Sequence, residues 1–216
     1  MIFLEDHVYI LLAFRLAEHQ LMEDILIETQ RLLIRAFRPE DLTTIHRILE
    51  QTFGDGTKLR DEGALHERAE WLAWSRLNHS WFPRMGQAPY GDRAIVLKSS
   101  GALIGSVGYV PLLGPFEQIP GIGLAPKLSK TMTPAFGLFW VIDPQVQRQG
   151  YATEAGGALV AYAFQTLHLQ QIIATTEYDN IASQTVMRKI GMRLERNPFP
   201  EPHWLQVVGI MDNPNI

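Results

Sequence analysis

The residues Gln147, Arg148, Gln149, Gly150, Tyr151, Ala152, Thr153, Glu154 and Ala155 have the types and spacing of an anion-binding turn. They follow an apolar run from Phe136 to Ile142 and an Asp143-Pro144 stop, and they open a helix that the pattern extends from Tyr151 to His168. The first amides of a helix find no acceptor within it, and the aligned peptide dipoles add partial positive charge there. A diphosphate fits such a turn through backbone N–H groups alone. Gly150 allows close backbone approach, small Ala152 leaves the mouth open, and Arg148 supplies a flanking charge. An ordinary strand-to-helix turn has the same spacing, so both readings stand on these letters. A second constellation is Asn180 with Ser183: Asn180 is a natural helix N-cap and Ser183 an early-helix residue, which gives both a purely structural reading.

Other motifs fall short of chemistry. His66-Glu67-Arg68-Ala69-Glu70 starts like a zinc-protease helix but ends in Glu, so the second imidazole is missing and a surface helix is expected. Gly121-Ile122-Gly123 lacks the third glycine of a dinucleotide fingerprint and stands in a loop. Neither a GxxxxGK[ST] phosphate loop nor a GxSxG nucleophile turn occurs. The chain has no Cys, which excludes disulfides, thiolate metal sites and a cysteine nucleophile and suits the cytoplasm. No metal is expected. With 19 Lys and Arg against 23 Asp and Glu, the net charge of -4 argues against a nucleic-acid partner.

The elements that must position these residues follow from periodicity. The 216 residues are 46% apolar and 19% charged, enough for one globular domain with a real core. Residues 8–14 are an apolar run too short to cross a bilayer, with Glu5 and Asp6 where a secretory signal would carry positive charge, so no membrane partner is expected. Asp6 caps a helix to about Met22; residues 1–27 read as a helical extension, packed on the domain or serving as a lid or dimerisation arm, so a homodimer is one option. The domain proper spans residues 28–216. Its expected order is a strand at 31–37, a helix opened by Pro39, a helix from Glu62 to Asn78 with Leu65, Ala69, Leu72 and Leu77 inward, and a hairpin of 93–98 and 102–112. Trp71, Trp74 and Trp81 are expected in the core and His46 in solvent. Residues 113–134, rich in Pro and Gly, read as a long irregular connection, expected to be a flap over an acceptor site. A strand at 136–142, the helix from Tyr151, a strand at 172–176, a helix from Asn180 to Ile190 and a strand at 205–211 complete a mixed α/β chain.

Taken with its surroundings, the turn resembles motif A of the GNAT superfamily, the N-acetyltransferases that use acetyl-coenzyme A. Gln147, Gly150 and Ala152 match that signature, and Thr153-Glu154-Ala155 resembles the ribosomal-protein N-terminal acetyltransferase branch. Thr29-Gln30-Arg31-Leu32-Leu33-Ile34-Arg35 is similar to the first strand of that branch, Pro39-Glu40-Asp41 to its first helix start, and Asn180, Ser183 and Lys189-Ile190-Gly191-Met192 to its later motif. The resemblance implies an α/β (α+β) fold: a mixed, mostly antiparallel sheet with a splayed parallel strand pair and helices on both faces. It also implies acetyl-coenzyme A as co-substrate, its pantetheine along Trp140, Val141 and Ile142 and its diphosphate on Gln147, Arg148, Gln149, Gly150, Tyr151, Ala152 and Thr153. Asn180 and Ser183 would face the same cofactor, with Ser183 hydrogen-bonding the departing sulfur and a backbone amide near Ile142 receiving the oxyanion.

The implied reaction is direct transfer of the acetyl group to a primary amine, of a small molecule or a peptide N-terminus, without an enzyme nucleophile. The amine must be neutral: a lysine-like amine is about 0.04% neutral at pH 7, a handicap of roughly 4.6 kcal/mol, against about 1.4 for an α-amine. Many relatives of that branch carry a Glu on the strand where this chain has Ala135, Phe136 and Gly137, which leaves water, Glu177, Tyr178 or a residue of the first helices as the base. That departure also keeps a second expectation in play, a non-catalytic coenzyme A or acyl-coenzyme A binding sensor or interaction module.

Overall fold

The computed structural model describes residues 25–122, 127–128 and 130–215. The helix expected at residues 6–22 lies outside the described residues. Eight strands form one sheet: β1 (Ile25–Glu28), β2 (Leu32–Arg35), β3 (Gly91–Leu97), β4 (Leu103–Gly114), β5 (Thr133–Ile142), β6 (Gln171–Thr176), β7 (Arg193–Arg196) and β8 (Val207–Asp212). Their spatial order is β1-β2-β3-β4-β5-β6-β8-β7, and every neighbouring pair is antiparallel except β5 with β6. The sheet begins at Ile25, before the boundary expected at residue 28.

Among the described residues four α-helices cover the two faces: α1 (Leu42–Phe53), α2 (Glu62–Trp81), α3 (Tyr151–Gln165) and α4 (Ile181–Lys189). On one face Leu32, Ile34, Ile95, Val107 and Leu138 pack under Ala155, Leu159 and Ala163 of α3 and Met187 of α4. On the other, Ala94, Val96 and Val141 meet Ile45, Ile48 and Leu49 of α1 and Leu72 of α2. The alternation of Leu32, Leu33 and Ile34 thus supplies both layers, as a central strand requires.

Two charged residues enter this core together. Arg35, on β2, is buried beside Asp41, with two hydrogen bonds of 2.6 and 2.9 Å. Asp41 also accepts from the Arg38 amide at 2.7 Å, so one carboxylate fixes both the strand end and the approach to α1.

Three further departures concern the connection after β4, helix α2 and the last strand. The connection expected at 113–134 is shorter, because β4 runs to Gly114 and β5 starts at Thr133; the two pair along their length from Gly105 with Ile142 to Gly114 with Thr133. Its first part is no free flap: Phe116 and Ile119 are buried against Leu205, Val208 and Ile210. Second, α2 turns Leu72, Ser75 and Asn78 inward, so Leu77, Trp74 (56% exposed) and Trp81 (52%) face out, and only Trp71 packs inside, edge-on to Phe37. Third, the last strand begins at Val207 after a 3-10 turn at His203–Leu205 and pairs with the short β7.

Asp41→Ala leaves a buried guanidinium without its counter-charge. The expected loss is about 3–5 kcal/mol of unfolding free energy in urea titration.

Candidate functional site

The parallel pair β5 and β6 meets at a single register position, Gly137 with Ile173. Beyond it, Leu138 to Ile142 stay paired to β4 on one side while no described strand pairs with their other side. That open stretch ends at Asp143, which is held in place from two directions. Its carboxylate caps the following turn through the Gln145 amide at 3.0 Å and binds Arg47 of α1 at 2.5 and 3.2 Å. The hydrogen bond from Arg47, above all, holds the Asp143 carboxyl below the usual carboxylate range. This pair fastens the middle of α1 to the end of β5.

The turn then delivers helix α3. Arg148 and Gly150 both take positive φ, 64° and 83°, the left-handed region in which glycine alone is free of Cβ strain. Gly150 is the N-cap, and the first amide seen to return into the helix is that of Glu154, bonded to the Gly150 carbonyl. The amides of Tyr151, Ala152 and Thr153 therefore stand at the helix start without helical acceptors, as the sequence pattern requires.

A cavity of about 580 Å3 opens where β5 and β6 part. It gathers Trp140, Val141, Ile142, Gln147, Arg148, Gly150, Tyr151, Ala152, Thr153, Asn180 and Ser183, all of the candidate residues except Gln149. Gln149 faces elsewhere: its carbonyl accepts from Arg31 at 2.9 Å and its side chain from the Tyr151 hydroxyl at 3.2 Å. Two of the gathered side chains are occupied within the protein. Gln147 donates to the Ile142 carbonyl at 3.0 Å and so ties the turn to the strand end, and Asn180 accepts the Ser183 amide at 3.0 Å as the N-cap of α4. The Ser183 hydroxyl has no partner among the described residues. Thr52 and Phe53 of α1 and Ile181, Thr185 and Lys189 of α4 complete the wall. Among the described lining residues the charged ones are Arg148 and Lys189, both cationic.

The family model for the acetyltransferase (GNAT) domain matches residues 31–193 of this chain. The chain belongs to the GNAT acetyltransferase family. It is similar to the uncharacterized N-acetyltransferase YnaD of Bacillus subtilis, 31% identical over 173 residues that make up 78% of this chain and 83% of that protein. Two solved structures share its fold. A ribosomal-protein-S5-alanine acetyltransferase from Vibrio fischeri superposes with a TM-score of 0.58 at 16% identity, over 88% of this chain and 97% of that one. RimL, a ribosomal L7/L12 α-N-protein acetyltransferase in complex with coenzyme A, gives 0.57 at 15%, over 87% and 97%.

Within this GNAT fold, several side chains named as candidates lie elsewhere. The Tyr178 hydroxyl donates to the Asn197 carbonyl at 2.5 Å, under the Arg196 guanidinium, and Glu177 accepts from Thr176 at 3.1 Å; neither lines the cavity. His46, expected in solvent, is 3% exposed, with Nε2 3.2 Å from the Lys58 carbonyl. His66 does remain on the surface, 3.5 Å from Glu70. No helix among the described residues is long and apolar enough to cross a membrane.

The pair that sequence reasoning missed is Arg31 with Glu154. Glu154 lies in the first turn of α3, where it accepts from the Thr29 hydroxyl (2.6 Å), the Arg31 amide (2.8 Å) and the Arg31 Nε (2.6 Å). The Arg31 guanidinium then lies 4.5 Å over the Tyr151 ring. Both residues stand inside matched motifs, yet 123 positions separate them, and periodicity carries no pairing across such a distance. Partial burial works against the charged form of Glu154, but these hydrogen bonds outweigh it and hold its pKa below the usual carboxylate range. Such a shift contributes stability above that range and loses it as pH falls through the folded-state pKa. An Arg31→Ala, Glu154→Ala double-mutant cycle in urea at neutral pH is expected to give a coupling of roughly 0.5–1 kcal/mol, limited by the exposure of the guanidinium. The coupling is lost as pH falls below the usual carboxylate range and Glu154 takes up its proton.

Proposed function

We propose that the cavity between β5 and β6 holds acetyl-coenzyme A and that the protein transfers its acetyl group directly to a primary amine. One observation carries this reading: a single cavity unites an unpaired strand edge, three unpaired helix amides, two cations and a free hydroxyl. A ligand suited to it is long, has an amide-bearing arm that can pair with backbone, and ends in phosphates. Coenzyme A has that chemistry, and RimL, of the same fold, was solved with it. In this reading the amides of Tyr151, Ala152 and Thr153 hold the diphosphate, with Arg148 and Lys189 as counter-charges. The edge of Trp140, Val141 and Ile142 pairs with the pantetheine arm. When bound, the thioester supplies the activated acetyl group.

The residues of the chain then have separable tasks. An amide on the open edge near Ile142 donates to the oxygen that gains charge as the amine adds to the carbonyl; being backbone, it is already in place. Ser183 donates its hydroxyl to the sulfur as the carbon–sulfur bond breaks. Asn180, through the Ser183 amide, sets the first turn of α4 and so acts as a positioning residue. Ala135, Phe136 and Gly137 offer no carboxylate, and Phe136 is packed 5.0 Å from both Tyr90 and Tyr109. The site therefore favours amines that are already neutral in an appreciable fraction, as an α-amine is.

Ser183→Ala is expected to lower kcat by about tenfold to a hundredfold, the worth of one hydrogen bond to a developing thiolate, with coenzyme A affinity little changed. Thiol release and calorimetric titration read the two quantities. Gly150→Glu places a carboxylate at the diphosphate turn and is expected to abolish coenzyme A binding while circular dichroism shows a folded domain. Undiminished binding in that variant overturns the assignment of the cavity, and tight binding without thiol release over a broad amine panel favours a sensor instead.

A further inference from the structure

Phe53, at the end of α1, lines a second cavity as well, of about 700 Å3, between α1, the loop after it and α2. Its ring is 66% exposed and stands 6.3 Å from that of Phe139 on β5, so it is the partition between this second cavity and the open strand. The charged residues around the second cavity are Glu50, Asp55, Lys58 and Arg68.

Their hydrogen bonding is unequal. Asp55 is committed, accepting from the Thr57 hydroxyl at 2.6 Å and the Thr57 amide at 2.9 Å, and those bonds lower its pKa. The cations are not. Arg68 has its Nε buried without a partner, and its terminal nitrogen stands 3.7 Å from Glu50, beyond hydrogen-bond reach. Burial lowers the pKa of Arg68 by more than the charges of Glu50, Asp92 and Glu67 raise it, and burial pushes the Asp92 carboxyl up to about 6 despite Arg93 and Arg68. The guanidinium carbon of Arg68 lies 5.2 Å over the centre of the Trp71 ring. Lys58 has its carbonyl oxygen beside His46, while its ammonium forms no ion pair with a described residue. The Glu50 carboxylate forms no hydrogen bond with a described residue either, but with Asp55 committed two cations face this one carboxylate, and a further carboxylate is the group that satisfies a guanidinium and an ammonium together.

We propose that the second cavity recognises the acceptor, and that the acceptor is a primary amine that also bears a carboxylate. The carboxylate lies on Arg68 and Lys58, and the amine reaches past Phe53 toward β5. This rests on the reading that coenzyme A occupies the cavity between β5 and β6.

The test titrates matched acid and amide partners into protein saturated with coenzyme A. Alanine against alaninamide represents a free amino acid, and Ala-Glu-amide against Ala-Gln-amide represents a peptide with an acidic side chain. The amine of alaninamide is the less basic of its pair, so nucleophilicity favours the amide and a preference for the acid reports recognition. Calorimetry is expected to show the acid of at least one pair binding about tenfold tighter, with the same preference in kcat/KM for thiol release. The pair that shows it identifies the source of the carboxylate. Arg68→Met is expected to erase the preference; Lys58→Met, at an exposed position where folding is not at stake, is expected to reduce it severalfold with coenzyme A affinity intact. Equal or weaker binding of both acids, no binding of any of the four, or an undiminished preference in Lys58→Met overturns the proposal. Failure of coenzyme A itself to bind is seen in the first titration and refutes the cofactor reading instead. The acids titrated into the free protein then judge the second cavity by the same criteria, because Phe53 alone is common to the two walls.

Discussion

A strand presents backbone N–H and C=O groups along both of its edges, and burying an unpaired edge costs about as much as the hydrogen bonds forgone. β5 satisfies one edge against β4 all the way from Thr133 to Ile142 and its other edge against β6 at Gly137 alone. The remainder of that second edge must meet water or a ligand with matching groups. The cavity is thus a consequence of two strands that start together and part. They part because the chain after Ile142 is held away from β6: Asp143 is fastened to Arg47 of α1, and Gln147 folds back onto the Ile142 carbonyl. α4 stands on the opposite side, its start fixed by Asn180.

The electrostatics of the mouth follow the same division. Helix α3 brings unpaired N–H groups, but it also brings Glu154 in its first turn, a charge of the wrong sign for an anion site. Arg31 removes that conflict by engaging the carboxylate while holding the Gln149 carbonyl, so the turn keeps its net positive character. A residue at the head of β2 is therefore part of the electrostatic design of a turn more than a hundred positions later. Both partners lie within the region that the acetyltransferase family model matches, residues 31–193.

What was legible in the sequence is what local chemistry determines. The turn at Gly150, the buried strand before it and the cap at Asn180 are written in consecutive residues, and they lie where the spacing placed them. The short strands β1 and β7 have no clear signal in the sequence: Ile25-Leu26-Ile27 is apolar without alternation, and Arg193-Leu194-Glu195-Arg196 is mostly polar. Apolar composition misled on α2, where the large residues Trp74, Leu77 and Trp81 face out while Ser75 and Asn78 are buried. His46 is hidden by the turn at Thr57–Arg60, which a pattern in α1 cannot foresee. The irregular stretch after Gly114 looked free because Pro and Gly dominate it, yet Phe116 and Ile119 anchor it in a third core cluster.

The same reasoning explains why the proposed cofactor cavity is legible in the sequence and the proposed acceptor cavity is not. A diphosphate is held largely by backbone, and backbone geometry demands particular residues, glycine at positive φ above all, so the chemistry leaves a spelling behind. The proposed acceptor site is built from side chains on the loop after α1 and on α2, and loops tolerate many sequences around one geometry. Arg68 sits in a helix that starts like a failed zinc motif, and only its depth beside Glu50 and Trp71 separates it from an ordinary surface arginine. Burial without a hydrogen-bonded partner is a property of the fold and has no signature in the letters. It is nevertheless the property that distinguishes a binding arginine from a solvated one, because a desolvated guanidinium gains more from a carboxylate than one already served by water.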